Sequence, residues 1–239
     1  MHKVNIPKWA VDRVVERRGS AHPYADLAPT RTALIVVDLQ NGFMVDGVAH
    51  ALCPGAVEIV PNVNRLASAV RHTGGKVVWI KNTHDQTWIT MYDKMRPEKA
   101  KKRIESMSEG STGHQIYPEL DVKPADMVVQ KWRFSAFLPE SSDLAVRLRA
   151  AGCDTVLITG TVTNVCCESS ARDAMMMNFH TIMVSDANAA RTDEEHNATL
   201  GSFYAIFGDV MDTAFLIERL EATQRSVSQR SNGRTKERN

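Results

Sequence analysis

Leu157-Ile158-Thr159-Gly160-Thr161-Val162-Thr163-Asn164-Val165-Cys166-Cys167-Glu168 is followed by an apolar stripe at Cys167, Ala171, Ala174 and Met175. An apolar run, a glycine-containing turn and a helical stripe, in that order, read as a strand that passes directly into a helix. Similar runs recur at 32–37, 76–80, 127–130, 155–158, 181–184 and, more weakly, 209–211. Most are uniformly apolar instead of alternating, which is how a strand covered on both faces reads, so a mainly parallel six-stranded sheet is expected. Helical patterns fill the gaps at about 62–72, 140–151, 165–178, 194–207 and 213–222. Gly74-Gly75 and Gly152 stand just past two of them, where a helix should stop. The alternation predicts an α/β fold, a three-layer α/β/α domain.

Working outward, 239 residues suit one such domain, which buries roughly three quarters of its unfolded surface and needs no disulfide or metal to hold a core. We place that domain at 29–223. Residues 1–28 read as an arm, because Ile6, Trp9, Val11, Val14 and Val15 give a short helix-like pattern with something to pack against. Residues 224–239 are polar and nearly free of apolar groups, and are expected to be a disordered tail. The stretch 85–113 breaks the strand-helix rhythm with Met91, Met95, Met107 and the cluster Lys99, Lys101, Lys102 and Arg103; so long a connection is an active-site cover, an oligomer contact or a mobile loop. Trp88 and Tyr92 within it either cover a pocket or pack locally.

Charge narrows the function classes. Twenty-nine Lys plus Arg against 28 Asp plus Glu leave a formal charge of +1, with no field to gather nucleic acid or anionic lipid. No apolar run approaches the roughly 18 to 20 residues of a bilayer span, and the first nine residues lack the apolar core of an export signal. We therefore expect no nucleic-acid or membrane partner and a cytoplasmic location, where four cysteines are free thiols.

At the carboxyl edge of a parallel sheet, where ligands bind, Cys166 meets the first turn of a helix. Unpaired N–H groups there favour a thiolate and can hold an oxyanion, so Cys166 is either a nucleophile or a small buried hydrophobe. Cys167 points about 100° away and falls on the apolar stripe, and Cys53 and Cys153 read as structural. The adjacent cysteines lack the spacing of a redox pair. Asp38 ends the first apolar run and Lys131 the third. Asp38 is a turn cap or a site residue; Lys131 is a surface cation or a site residue. Three strand ends bringing Asp38, Lys131 and Cys166 to one edge would make a triad.

The segments 33–44 (ALIVVDLQNGFM), 131–137 (KWRFSAF) and 160–173 (GTVTNVCCESSARD) resemble the cysteine hydrolases of the isochorismatase-like superfamily, in that family's order, over about residues 30–220. The resemblance implies that Asp38 is the general base, that Lys131 lowers the thiol pKa and that Cys166 attacks a carbonyl. It also implies a cis peptide between Thr161 and Val162, with the N–H groups of Val162 and Cys166 aimed at the oxyanion, and a homo-oligomer, dimer or tetramer, with Trp9 among its contacts. A thiol so depressed would alkylate before the other cysteines.

No cofactor is implied. The nicotinamidases of the superfamily use a metal cluster, of which this chain offers only His84 in Asn82-Thr83-His84-Asp85, so no metal ligand is assigned. Within the superfamily the blocks are nearest to amidohydrolases of ureidoacrylate and carbamoyl compounds. The expected function is hydrolysis of a C–N bond in a small linear amide or ureido compound through a thioester, releasing ammonia or an amine; a nicotinamidase-like amidase and a silent binding protein are the alternatives. Strand-end positions nominate Phe43, Trp79, Asn82, His84, Arg133, Phe134, Phe137 and Asn164 around the substrate. Arg133 either clasps a substrate carboxylate or makes a structural ion pair.

Overall fold

The computed structural model describes residues 1–85 and 90–236, without the side chains of Tyr92 and 227–236. Its six strands are β1 (Thr32–Val37), β2 (Lys76–Asn82), β3 (Met127–Lys131), β4 (Thr155–Thr161), β5 (His180–Ala189) and β6 (Asp209–Met211). They pair in the order β3-β2-β1-β4-β5-β6, and every pair is parallel. The uniform apolar runs are thus explained: β1 and β4 are buried along their whole lengths.

The helices are α1 (Lys8–Arg18), α2 (Asn41–Met44), α3 (Gly55–Glu58), α4 (Val60–His72), α5 (Met91–Met95), α6 (Pro97–Met107), α7 (Leu144–Ala150), α8 (Glu168–Met176), α9 (Asp193–Ile206) and α10 (Thr213–Lys236). On one face of the sheet, Leu34, Val36, Val77 and Trp79 pack with α4 and α10 through Val63, Leu66, Val70, Leu216 and Leu220. On the other, Ala33, Ile35, Val78 and Ile80 pack with Leu148 of α7, Ala174 of α8 and Phe203 of α9. Residues alternate between these layers along each strand, as the pleat requires. Two apolar cores, one on each side of a shared sheet, account for the three layers.

Three expectations meet a different structure. Helix α7 begins at Leu144 instead of 140, because Glu140 adopts a left-handed φ of 67°, which breaks any helix there. The insertion carries two helices, α5 and α6; Thr90 caps α5 by accepting from Asp93 N–H while Asp93 answers on Thr90 N–H. The last helix continues through Lys236, into the stretch read as a disordered tail, with Thr223 and Ser226 bonded back to the carbonyls of Arg219 and Ala222; residues 237–239 lie outside the described residues. The arm packs on its own chain, with Ala10 and Val14 buried in the core beside α9, while Trp9 is 55% exposed. Among the described residues no helix is long and apolar enough to cross a membrane.

The chain reverses direction across the sheet after β3, so β1 and β4 are adjacent though distant in sequence. This is the switch point at which parallel sheets open a crevice. Val37 of β1 lies level with Gly160 of β4. Gly160 has φ 117°, and a Cβ placed on it would stand 2.0 Å from Val37 O; only glycine lets the two strands close at the floor of that crevice.

Candidate active site

The sheet register delivers the site residues to one edge. Asp38 follows Val37, Asn82 ends β2 and is paired with Lys131 at the end of β3. Asp38 takes a φ of 54°, which turns the chain away from the strand immediately after β1; non-glycine residues held there cluster at functional sites. Its Oδ2 lies 2.8 Å from Lys131 Nζ, and both side chains have no exposure. Lys131 Nζ also donates to Arg133 O at 3.0 Å. Neither Asp38 oxygen has a well-aligned donor, so the contact is a close charge pair and not a directed hydrogen bond.

Cys166 completes the group, with its thiol against both Asp38 and Lys131. It stands in a π-helical turn, Thr163–Cys167, which precedes α8. The α-helix was expected to start at the cysteine itself. Instead, Cys167 N–H reaches back five residues to Val162 O at 3.3 Å, widening the turn. The peptide between Thr161 and Val162 is cis, as the resemblance implied. Cys167 is buried in the core against the α8 stripe, away from the triad's charges.

The electrostatics correct one expectation. Burial pushes the Cys166 thiol well above the ordinary thiol range; the Lys131 charge pulls it down, while Asp38 pushes it further up. Lys131 therefore does not leave a resting thiolate, because burial outweighs a single cation whose charge Asp38 already balances. Burial likewise raises Asp38 above the usual carboxylate range against the opposing pull of Lys131, Cys166 and Asn82. For Lys131, burial disfavours the ammonium, but Asp38 and Cys166 outweigh it and its pKa is raised. The arrangement keeps the proton on sulfur beside a carboxylate made more basic by its surroundings.

Gln40, two residues past Asp38, was not singled out from the sequence. It is fully buried; its Nε2 donates to the carbonyls of Asn82 at 3.2 Å and His114 at 2.9 Å, and its Oε1 accepts from Asn82 N–H at 2.7 Å. It clips the end of β1 to the end of β2 beneath Asp38. A long amide so soon after a buried acid was the available signal. On the opposite wall, Ser170 of α8 accepts from Ala136 N–H at 2.9 Å, and Ser141 accepts from Arg133 N–H at 2.9 Å. These bonds tie the loop after β3 to the helix that follows Cys166.

A cavity of about 520 Å³ opens beside this loop, lined by Arg133, Phe134, Ser169 and Arg172 among others, and on its far side by His84, Asp93 and Arg103. Helices α5 and α6 thus form one of its walls. None of the triad residues is among its lining residues, and Cys166 is 3% exposed. Arg172 is engaged by Glu168 of its own helix and lies over Phe207. Asp93 and Arg103 form an ion pair with each other. His84 is held near pKa 3, first by burial and then by Arg103 and its other charged neighbours, so it is neutral.

Of the residues nominated around the substrate, Arg133, Phe134 and His84 reach the cavity, and Asn82 faces Asp38. Asn164 sits beside the triad on the π-helical turn, its Oδ1 buried without a hydrogen-bond donor. The others are displaced by the pleat. Phe43 packs in the α4 core, edge-on to His50. Trp79 lies in that core with its indole N–H on Asp126 at 2.8 Å. Phe137 is buried against Phe179 on the opposite side. Trp88 and the side chain of Tyr92 lie outside the described residues.

Comparison with known proteins agrees with this geometry. The isochorismatase domain model matches residues 32–215. The ureidoacrylate amidohydrolase RutB of Rhizobium rhizogenes is 30% identical over 177 residues, covering 67% of this chain and 71% of that protein. The crystal structure of a cysteine hydrolase from Pseudomonas syringae pv. phaseolicola superposes with a TM-score of 0.76 at 28% identity, covering 82% of this chain and 95% of the other. N-carbamoylsarcosine amidase from Thermoplasma acidophilum superposes with a TM-score of 0.63 at 27% identity, covering 77% and 96%. The chain belongs to the isochorismatase family, and to its hydrolases acting on C–N bonds.

Proposed function

We propose that this protein is a cysteine amidohydrolase of a small linear ureido or carbamoyl compound, with Cys166, Asp38 and Lys131 as its triad. The observation that carries the reading is the 2.8 Å contact between two fully buried opposite charges with the Cys166 thiol beside both. A buried ion pair contributes little to stability on balance, and a nucleophile placed next to a base of raised pKa gives it a chemical reason to exist.

In this mechanism the Cys166 proton passes to Asp38 as sulfur bonds to the carbonyl carbon. The carbonyl electron pair moves onto oxygen, held by the N–H groups of Val162 and Cys166. The C–N bond then breaks, the leaving nitrogen takes the proton from Asp38, and ammonia or an amine departs. Water next gives a proton to Asp38 while its oxygen bonds to the thioester carbon. The S–C bond breaks, and the proton returns to sulfur. Lys131 remains an ammonium throughout, balancing Asp38 when it is ionised and the sulfur while it carries charge. Arg133 and Phe134 supply the specificity contacts, the guanidinium fitting a carboxylate at the far end of the substrate; the names of RutB and of N-carbamoylsarcosine amidase support a ureido or carbamoyl substrate.

The test is ammonia release from a panel of 3-ureidoacrylate, N-carbamoyl amino acids, biuret, nicotinamide and a simple aliphatic amide. Release confined to the ureido and carbamoyl members is the expected outcome. Release only from nicotinamide or the aliphatic amide would overturn the substrate class.

A further inference from the structure

Residues 1–6 cross the back of the turn that carries Cys166, and two reciprocal bonds set their position. Asn5 N–H donates to Asn197 Oδ1 at 2.6 Å, and Asn197 Nδ2 donates to Lys3 O at 2.9 Å. This places His2, whose side chain is 11% exposed, over the buried ring of His196, with centroids 4.4 Å apart and planes at 20°.

The hydrogen bonds assign both rings. His2 Nε2 accepts from Ala190 N–H at 2.9 Å, so its proton is on Nδ1, which faces Asp193 Oδ1 at 2.7 Å. His196 Nε2 faces the carbonyl of Ser185 at 3.0 Å and must donate to it. Its Nδ1 is therefore the acceptor for the Thr163 hydroxyl at 2.9 Å. Burial first, and His2 next, hold His196 at a pKa of about 4, which agrees with a neutral ring.

Both ring partners lead to the catalytic turn. Thr163 opens the π-helical turn that contains Cys166. Ala190 follows Ala189, which pairs with Thr161 at the cis peptide. A single side chain thus braces the turn from two sides, through a stack and through a backbone bond. Resting on the hydrolase reading above, we propose that His2 is a positioning residue that fixes the Cys166 turn through His196 and Ala190.

Two variants of the full chain test this. His2→Ala removes the stack and the acceptor for Ala190; His2→Phe keeps a stacking ring but removes the acceptor. On whichever panel compound the wild type hydrolyses, kcat is expected to fall on the order of tenfold in His2→Ala, with KM little changed and His2→Phe between the two. A readout independent of substrate is the alkylation rate of Cys166 by iodoacetamide relative to Cys153, followed by peptide mass spectrometry. That ratio should shift in His2→Ala and shift less in His2→Phe. If both variants keep the wild-type kcat and alkylation ratio, even with a lower Tm, His2 is only an anchor and the proposal fails. If the wild type hydrolyses no panel compound, the hydrolase reading fails while the alkylation ratio still decides the positioning role. If His2→Ala does not fold, His2→Phe alone decides it.

Discussion

Asp38 and Lys131 sit at the ends of strands separated by a third, and the sheet register brings their charges to 2.8 Å with no exposure on either side chain. Removing one partner leaves the other uncompensated in an apolar setting. Lys131→Met should therefore cost about 3 to 5 kcal/mol of folding stability, read by urea denaturation. The double variant Asp38→Leu/Lys131→Met should recover most of that loss while hydrolysing nothing. A double variant less stable than Lys131→Met would show that the pair is held for stability.

The raised pKa of Asp38 fixes the sign of the acid limb. The base must be ionised to accept the thiol proton, and a carboxylate whose pKa lies above 3.8 is lost at a higher pH than an ordinary one. The kcat/KM profile should fall as pH drops through a midpoint above 3.8, with a one-proton slope. A rate that is flat down to pH 3 would remove Asp38 from the role of base.

Arg133 lines the cavity and shares its backbone carbonyl with Lys131, so its guanidinium and the triad are held by one short loop. A charge-assisted hydrogen bond contributes about 1.5 to 3 kcal/mol. Arg133→Gln should raise KM roughly tenfold or more for panel compounds that bear a carboxylate, and should leave KM for biuret near that of the wild type. Equal effects on both would make Arg133 structural.

The triad was legible in the sequence because a buried parallel strand writes itself as a continuous apolar run, and the polar residue that ends such a run has to be at the carboxyl edge. Asp38, Lys131 and Cys166 all carry that mark. The contents of the substrate cavity were not legible by the same route. Trp79 and Phe137 lie close to strand ends, but the pleat turns each into a helix-covered core, and which face a residue takes depends on the register with its neighbours. The clip made by Gln40 joins side-chain atoms to backbone groups 42 and 74 residues away, so no local pattern announces it. Nor did His2 stand out, since its partner His196 is distant in sequence and the stack depends on how α1 and the arm lie against α9. The resting thiol was misjudged for a physical reason: neighbouring charge can be read from strand ends, whereas complete burial of Cys166 cannot.

The central claim is that Cys166 is the nucleophile, and the most direct measurement compares ammonia release by the wild type and Cys166→Ala on the panel compound that the wild type hydrolyses fastest. Far-UV circular dichroism confirms that the variant is folded. The account predicts that the folded variant releases no ammonia above the uncatalysed background. Turnover by folded Cys166→Ala at a rate near that of the wild type would contradict it.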